Sequence, residues 1–254
     1  MNSAYHRQVA VQQVVLGEVA SSTLSELESL PRSLMIPLGS TEQHGPHLPL
    51  DTDTRIATAV ASAVVGRLTG ADSPADRHWL LAPAIAYGAS GEHQGFAGTI
   101  SIGTAALTAL LVEYGRSATC WAQRLVFING HGGNTAALRD AVRRLRSEGR
   151  DVGWCPCFVA GADAHAGHTE TSVLLHLSPD AVLTERWRAG NGAPLAELLP
   201  SMRRGGVAAV TEVGVLGDPT TSSAADGERI FSEMVEECVR RISRWAPDVH
   251  GLLR

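Results

Sequence analysis

The stretch that decides the predicted fold reads Leu38-Gly39-Ser40-Thr41-Glu42-Gln43-His44-Gly45-Pro46-His47-Leu48-Pro49-Leu50-Asp51-Thr52-Asp53. The apolar residues 33–37 before it predict a buried strand, and residues 54–68 after it carry apolar side chains at helical spacing. In an open α/β sheet, a loop between a strand and the next helix lies at the edge where such folds bind ligands. A turn does not require this many carboxylates and imidazoles, so we expect the loop to have a chemical role.

The rest of the chain repeats the alternation of strand and helix. Further strands are predicted at residues 79–85, 124–129, 151–159 and 207–213, and further helices at residues 18–30, 104–121, 135–148 and 224–245, with another that ends at residue 177. This alternation predicts an α/β fold whose central sheet is mostly parallel and covered on both faces. Residues 188–206 are rich in Gly and Pro, and we interpret them as an excursion or lid within a single domain of residues 1–254.

Composition and charge argue against several classes of function. The net charge is −5 and no basic run reverses it, which argues against nucleic acid as the main partner. No apolar window is long enough to span a membrane, and no secretory signal is visible, so the cytoplasm is the default compartment. The cysteines form no CxxC pair, and we expect Cys155 and Cys157 to be small core residues on a strand.

Four polar clusters follow the predicted strands. They are Glu42 with His44 and Asp53; Glu92 with His93; His131; and His165 with His168 and Glu170. The carboxyl ends of parallel strands share one edge of a sheet, so these distant clusters can converge there. Glu42 and His44 are two residues apart, which points both side chains the same way in extended backbone.

Imidazole and carboxylate together form the ligand set of zinc, iron or manganese. The charges of the carboxylates Glu42, Asp53 and Glu170 match two divalent ions and one hydroxide, which favours a two-metal hydrolytic site. Each residue also has an ordinary interpretation, as a loop histidine, a helix cap or a turn residue. The glycines around His131 could instead hold a phosphate at a helix N-terminus. We interpret His47 and His78 as ordinary loop or core histidines without a function.

The motifs of these clusters resemble those of the creatininase (creatinine amidohydrolase) family. The resemblance rests on Gly39-Ser-Thr-Glu-Gln-His-Gly-Pro-His-Leu-Pro, Asp51-Thr-Asp53, Asn129-Gly-His131-Gly-Gly-Asn and His165-Ala-Gly-x-x-Glu170-Thr-Ser, in that order over residues 30–240. It implies a three-layer α/β/α sandwich, a homo-oligomer, and a dinuclear metal site that hydrolyses amide-type C–N bonds.

The resemblance also implies the metal ligands. Glu42 and His131 would hold one ion, His44 would hold the other, and Asp53 would bridge the two. Glu170 would supply the remaining ligand. The ligand types fit Zn²⁺, Fe²⁺ and Mn²⁺ equally well.

This sequence departs from the type member of the family at one position. That protein has a glutamate where Gly133 stands, which argues against creatinine as substrate and shifts ligation of the second metal onto Glu170. Many relatives have glutamate at the position of His168. We therefore expect His168 to have a particular role in proton transfer or substrate binding.

Within the family, overall similarity is greatest to a member that releases a C-terminal valine–tyrosine-derived unit from a modified precursor peptide. The expected reaction is attack of a metal-activated water on the amide carbonyl. His168 or Glu92 would protonate the leaving amine, with Glu170 also in a catalytic role. Ser90, His93 and the 188–206 excursion would bind the peptide.

Three other functions are open from the sequence. The metal site could hydrolyse a small cyclic amide or a formamide. The chain could be a non-catalytic module that binds metal or nucleotide, with residues 130–134 holding an anion. It could also be a structural interaction protein, which predicts no stoichiometric metal.

Overall fold

The computed structural model describes residues 32–69 and 78–254. The helix predicted at residues 18–30 therefore lies outside the described residues. Among the described residues, none of the helices combines the length and apolar character needed to cross a bilayer.

Four parallel strands form the central sheet of the described chain. They are β1 (Arg32–Leu38), β2 (His78–Leu81), β3 (Arg124–Asn129) and β4 (Val152–Pro156), in the spatial order β2-β1-β3-β4. In the β1–β3 pairing, Leu38 stands opposite Asn129, so both strands end at the same level. All the loops that leave the strands therefore start from one edge of the sheet, as the sequence predicts.

The strands are buried because both faces of the sheet are covered. Beyond the first residue, every side chain of β1 and β3 is buried, and Met35, Ile36 and Phe127 are inaccessible to solvent. Such continuous apolar runs are typical of parallel strands packed between two helical layers. Most of the buried apolar side chains of the described strands and helices belong to one continuous core.

Helices lie on both sides of this sheet. They are α1 (Thr52–Leu68), α2 (Gly103–Ala118), α3 (Thr135–Ser147), α4 (His168–Leu177), α5 (Leu195–Gly205) and α6 (Ala224–Arg244). Helix α6 packs against α1 and α4, and α2 packs against α3. The result is the expected three-layer α/β/α sandwich. Cys155 and Cys157 are buried in its core, as predicted.

The predicted strand at residues 207–213 is wrong. The structure has a short 3₁₀ helix, Val207–Ala209, followed by turns. Gly206 and Gly214, which flank the run, have φ values of +69° and +78°, a backbone conformation that ends extended structure. The predicted strand at residues 79–85 is shorter than expected, and the weakly patterned residues 188–206 contain helix α5.

Residues Gly251–Leu253 return to the sheet at its β4 side. The amide of Trp154 donates to the carbonyl of Gly251 at 2.9 Å, and the amide of Leu253 donates to the carbonyl of Trp154 at 3.0 Å. These hydrogen bonds lie on the edge of β4 that does not face β3.

Candidate metal centre

The polar clusters that follow the strands converge at the carboxyl edge of the sheet. Glu42 and His44 lie on the loop after β1, and His131 follows β3 directly. Asp53 lies in the first turn of α1. Glu170 lies in the first turn of α4, where the helix dipole favours a carboxylate. The predicted convergence of these side chains is therefore observed.

Two glycines let α1 approach the sheet closely enough to place Asp53. A β-carbon on Gly130 would lie 2.5 Å from the carbonyl oxygen of Asp53, and one on Gly39 would lie 2.5 Å from the Cα of Thr54. Both contacts are shorter than real β-carbons allow. The glycines at the ends of β1 and β3 thus fix the depth of the α1 N-terminus and of the Asp53 carboxylate.

Glu42 and Asp53 are the central carboxylates of the site. Neither is accessible to solvent beyond 1%. The hydroxyl of Ser40 lies 2.8 Å from Glu42 Oε2 and 2.7 Å from Asp53 Oδ2. His131 Nδ1 lies 3.3 Å from Glu42 Oε2 and 3.2 Å from Asp53 Oδ2. The two carboxylates and His131 therefore face one common point.

His44 connects Asp53 with Glu170. Its Nε2 lies 3.1 Å from Asp53 Oδ1 and 3.8 Å from Glu170 Oε2. The backbone amide of Ala166 donates to Glu170 Oε2 at 2.6 Å. Ala166 has φ = 52°, an unfavourable conformation for alanine that recurs at functional sites and here orients the Glu170 carboxylate.

The electrostatics of the site call for added positive charge. Burial raises the pKa of Glu42 to about 8 and that of Glu170 to about 7. Burial also acts to raise the pKa of Asp53, but His44 outweighs it and holds that pKa well below its usual range. Burial opposes the charge on His44 as well, yet Asp53 raises the His44 pKa to about 10. Divalent cations would let all three carboxylates ionise together.

One buried atom of the site is available to a ligand. Glu42 Oε1 is buried and has no hydrogen-bond partner. An unpaired buried carboxylate oxygen is costly unless it coordinates a metal. Within the described residues, three groups of side chains offer ligand atoms close enough to share an ion. They are Glu42 with His44 and Asp53; Glu42 with His93 and His165; and His44 with His165 and Glu170.

When the rings are neutral, as metal binding requires, hydrogen bonds on the far side of three imidazoles leave a lone pair facing the site. His44 Nδ1 lies 3.1 Å from the carbonyl of Glu42, and His131 Nε2 lies 3.3 Å from the carbonyl of Ala89. His165 Nε2 lies 2.8 Å from the carbonyl of Gln43. Carbonyl oxygens only accept, so these nitrogens carry the protons. Backing hydrogen bonds of this kind are typical of histidines that bind metal.

Glu92 reaches the site and His168 does not. Glu92 Oε1 lies 3.4 Å from His131 Nε2, at the wall of the adjoining cavity. His168 lies at the first position of α4 and its Nδ1 is 2.9 Å from the Thr221 hydroxyl, away from the cavity-lining residues. The expectation that His168 acts directly on substrate therefore has no support in the geometry. Its position at the start of α4 points its ring toward the 218–222 loop instead.

Two residues of the site have contacts that were not predicted from the sequence. His165 contributes an imidazole to two of the candidate metal groups, although the sequence analysis did not assign it a ligand role. Gln43 joins His93, His165 and Gly214 through its side chain. The predicted substrate residue Ser90 is buried, and its hydroxyl has no partner among the described residues.

A cavity of about 690 Å³ opens onto this cluster. Its polar lining includes Asp53, Glu92, His131, His165 and Glu170. Its apolar lining includes Phe158, Val159, Leu195, Leu199 and Met202. Leu195, Leu199 and Met202 recur at helical spacing on α5, so residues 188–206 contribute an apolar stripe that faces the cavity.

Comparison with known proteins points to one family. A family model described as creatininase, creatinine amidohydrolase, matches residues 18–242. The mycofactocin precursor peptide peptidase of Mycobacterium tuberculosis is 71% identical over 254 residues, which cover 100% of both chains. The protein of the same name from Mycolicibacterium smegmatis is 64% identical over 253 residues, again covering 100% of both chains.

Solved structures agree with this relationship. A structure described as creatininase Mn has a TM-score of 0.74 and 27% identity, and the match covers 93% of this chain and 100% of that one. Another solved creatininase is described as of a Zn-Zn type.

Proposed function

The chain belongs to the creatininase family, and we propose that it is a metal-dependent peptidase that cleaves the mycofactocin precursor peptide. It would release the C-terminal valine–tyrosine-derived unit by hydrolysis of a peptide bond. The observation that carries the metal-dependent chemistry is the buried, unpartnered Glu42 Oε1 among converging imidazoles and carboxylates. Full-length identity of 71% and 64% to peptidases of that name supports the choice of substrate.

We propose that two divalent ions bind per chain, as Zn²⁺, Fe²⁺ or Mn²⁺. Glu42 and His131 would hold one ion, His44 and Glu170 the other, and Asp53 would lie between them. The two Asp53 oxygens support this, because Oδ2 lies 3.2 Å from His131 Nδ1 while Oδ1 lies 3.1 Å from His44 Nε2. When bound, such ions lower the pKa of a bound water toward ~7 and polarise the amide carbonyl.

The chain's own residues then manage the protons. Burial acts to raise the pKa of Glu92, but the hydrogen bond from His131 outweighs it, so that the Glu92 pKa is lowered and the carboxylate is ionised at neutral pH. Glu92 can therefore accept a proton during attack on the carbonyl and return it to the leaving nitrogen. Glu170 would act by holding its ion and not by carrying a proton, because a bound cation keeps its carboxylate ionised.

The shape of the cavity favours a peptide over a small cyclic amide. Its volume of about 690 Å³ is within the range of ligand sites. The apolar wall of Phe158, Leu199 and Met202 suits the side chains that flank a peptide bond better than a compact polar ring. We propose that Ser90 and residues 188–206 bind the peptide around the scissile bond, whereas His93, which was expected to share this role, faces Glu42 Oε1 at 3.3 Å.

We further propose that the chain forms a homo-oligomer. Leu50, Tyr87 and Ile100 lie on the loops after β1 and β2 and are 40%, 47% and 53% exposed. Exposed apolar side chains of this kind suit an interface between protein subunits. Light scattering during size-exclusion chromatography would test it, and a monomeric mass at micromolar concentration would contradict it.

The deciding experiment combines metal analysis with a peptide assay. Protein purified without chelator would be analysed for metal per chain, and the same preparation would be incubated with the modified mycofactocin precursor peptide. About two first-row ions per chain and release of a two-residue product are expected. Two ions per chain without cleavage would support an amidohydrolase but would rule out the mycofactocin precursor peptide as its substrate. The absence of metal under every loading condition would contradict the metal site itself.

A further inference from the structure

The side-chain amide of Gln43 is held in one orientation. The backbone amide of Gly45 donates to Gln43 Oε1 at 2.8 Å, and Gln43 Nε2 donates to the carbonyl of Gly214 at 2.9 Å. If the Gln43 amide were flipped, its NH₂ group would face the N–H of Gly45, and its oxygen would face the carbonyl of Gly214. Neither contact would be a hydrogen bond. Gly214 has φ = +78°, and a β-carbon there would collide with the Gln43 amide. The chain thus encloses this amide closely.

This orientation determines where His93 carries its proton. Gln43 Nε2 lies 2.9 Å from His93 Nδ1. His165 Nε2 lies 3.1 Å from the same amide nitrogen but gives its own proton to the carbonyl of Gln43, so the two amide hydrogens go to Gly214 and to His93. An amide nitrogen only donates, so His93 Nδ1 accepts. A proton on Nδ1 would face a second donor, which excludes both the doubly protonated ring and the other neutral tautomer. The single ring proton therefore lies on His93 Nε2, the nitrogen 3.3 Å from Glu42 Oε1.

His93 differs in this respect from the other three imidazoles of the site. His44, His131 and His165 donate away from the site to carbonyl oxygens and turn a lone pair toward it. His93 accepts on its far side and turns an N–H toward the site. A nitrogen that carries a proton cannot bind a metal, although distance alone would allow His93 to join Glu42 and His165 around one ion.

We propose that Gln43 is a positioning residue that keeps His93 out of the metal coordination sphere by holding its protonated Nε2 toward Glu42 Oε1. The two atoms are 3.3 Å apart without forming a hydrogen bond, so the Glu42 oxygen stays available to an ion. Gln43 thereby links Gly45 and Gly214 on one side to the central carboxylate on the other. This inference rests on the metal site of the proposed function, but not on the identity of the substrate.

The direct test is neutron diffraction from crystals of the zinc-loaded protein grown in D₂O. Deuterium is expected on His93 Nε2, with Nδ1 bare and no zinc within bonding distance of the ring. Deuterium on Nδ1, or a bond between zinc and Nε2, would overturn the inference. Because the readout is the position of a hydrogen isotope, it is independent of whether the mycofactocin peptide is cleaved.

Zinc content and kinetics of variants supply a second test. His93→Ala is expected to keep the zinc stoichiometry of the wild type at saturation, whereas His44→Ala, as the matched ligand variant, loses about one ion. Loss of the N–H that faces Glu42 should lower kcat by about 10–100-fold, with little change in KM. Equal zinc loss in both variants would contradict the inference. If His93→Ala does not fold, the neutron experiment on the wild type decides alone.

The polarity of the amide can also be reversed. Gln43→Glu replaces the donor nitrogen with an acceptor oxygen, which should move the His93 proton to Nδ1 and free Nε2 to bind zinc. The expected result is deuterium on Nδ1 in the variant and a fall in kcat, while Gln43→Met should lower kcat without fixing either tautomer. An unchanged deuterium position in Gln43→Glu would show that Gln43 does not set the tautomer.

Discussion

Glu92 lies directly over Gly133: a β-carbon at residue 133 would be 2.5 Å from Glu92 Oε1. The same β-carbon would also collide with His131 Nε2 and the carbonyl of Ala89. Glu92 thus occupies the space into which a side chain at position 133 would extend. The carboxylate beside His131 is therefore that of Glu92, on the loop after β2. Position 133, two residues after the histidine, has no side chain to supply one.

Replacing this glycine should damage the site without unfolding the protein. Gly133→Ala should displace His131 or Glu92, and a shift of about 1 Å in such groups can lower kcat by about 10²-fold. Gly66→Ala on α1 is the control, because nothing lies within 4 Å of a β-carbon there and Gly66 does not line the cavity. Peptide hydrolysis by the two variants would be compared at equal metal content. Equal activities would contradict the close packing of Glu92 on Gly133.

Glu92 and His168 should respond very differently to substitution. Glu92→Gln removes the proposed proton carrier next to His131 and should lower kcat by about 10²–10⁴-fold. His168→Ala should change kcat little, because the ring contacts Thr221 instead of the cavity. Steady-state kinetics on the precursor peptide would measure both effects. A large loss in His168→Ala with an active Glu92→Gln would restore His168 as the acid and reject Glu92.

Removing one imidazole should remove one metal ion. His131→Ala should abolish turnover and lower the metal content from about two ions to about one per chain, because Glu42 and Asp53 lose their common partner. His78→Ala is the control, since His78 begins β2 at the opposite edge of the sheet. Metal analysis and circular dichroism would follow both variants. Retained activity with full metal content in His131→Ala would refute the ligand assignment.

The apolar stripe of α5 should set substrate preference. Met202→Asp places a charge on the cavity wall and should lower kcat/KM by about 10–200-fold for peptides with bulky apolar side chains at the scissile bond. Peptides with alanine there should be affected less. Leu110→Asp, at an exposed position of α2, is the matched control. A uniform loss across both kinds of peptide would show that Met202 does not contact the side chain.

Acid should destabilise the fold through His47. This histidine is inaccessible to solvent, and burial, followed by the nearby His44, lowers its pKa to about 4. As the pH falls below ~6.5, the unfolded chain binds a proton that the folded chain refuses until about pH 4. The free energy of unfolding should therefore fall by up to ~1.4 kcal/mol per pH unit in this window.

His47→Gln isolates that contribution. The variant loses the titrating group, while its amide can still reach the hydroxyl of Thr171, which lies 2.9 Å from His47 Nε2. Urea denaturation of the chelator-treated proteins at pH 6.5, 5.5 and 4.5 should give a shallower pH dependence for the variant. Parallel curves would mean that His47 is not neutral in the folded state.

Local patterns were sufficient to predict much of this site. The two-residue spacing of Glu42 and His44 points both side chains the same way, and the start of α1 places Asp53 beside them. Both features could be predicted from a few neighbouring residues. The parallel sheet followed from alternating strands and helices. The roles of these residues as ligands remain predictions, but their proximity is observed.

Other features depend on contacts that no local pattern encodes. His165 lines the cavity and His168 does not. This difference depends on where α4 begins and on the pairing of His165 with Leu216. The proton position on His93 depends on Gly214, which is distant in sequence. The apolar run at residues 207–213 resembles a strand, yet Gly206 and Gly214 turn the backbone at both ends.

The hydrogen bonds of Gly251 and Leu253 to Trp154 have a consequence for handling the protein. An open strand edge is a template for pairing with another molecule, and these residues cover the free edge of β4. The other edge, β2, spans only four residues, His78–Leu81, and offers little length for such pairing. We therefore expect that deleting residues 251–253, or displacing them with a fused tag, exposes the edge of β4 and causes the protein to aggregate through it.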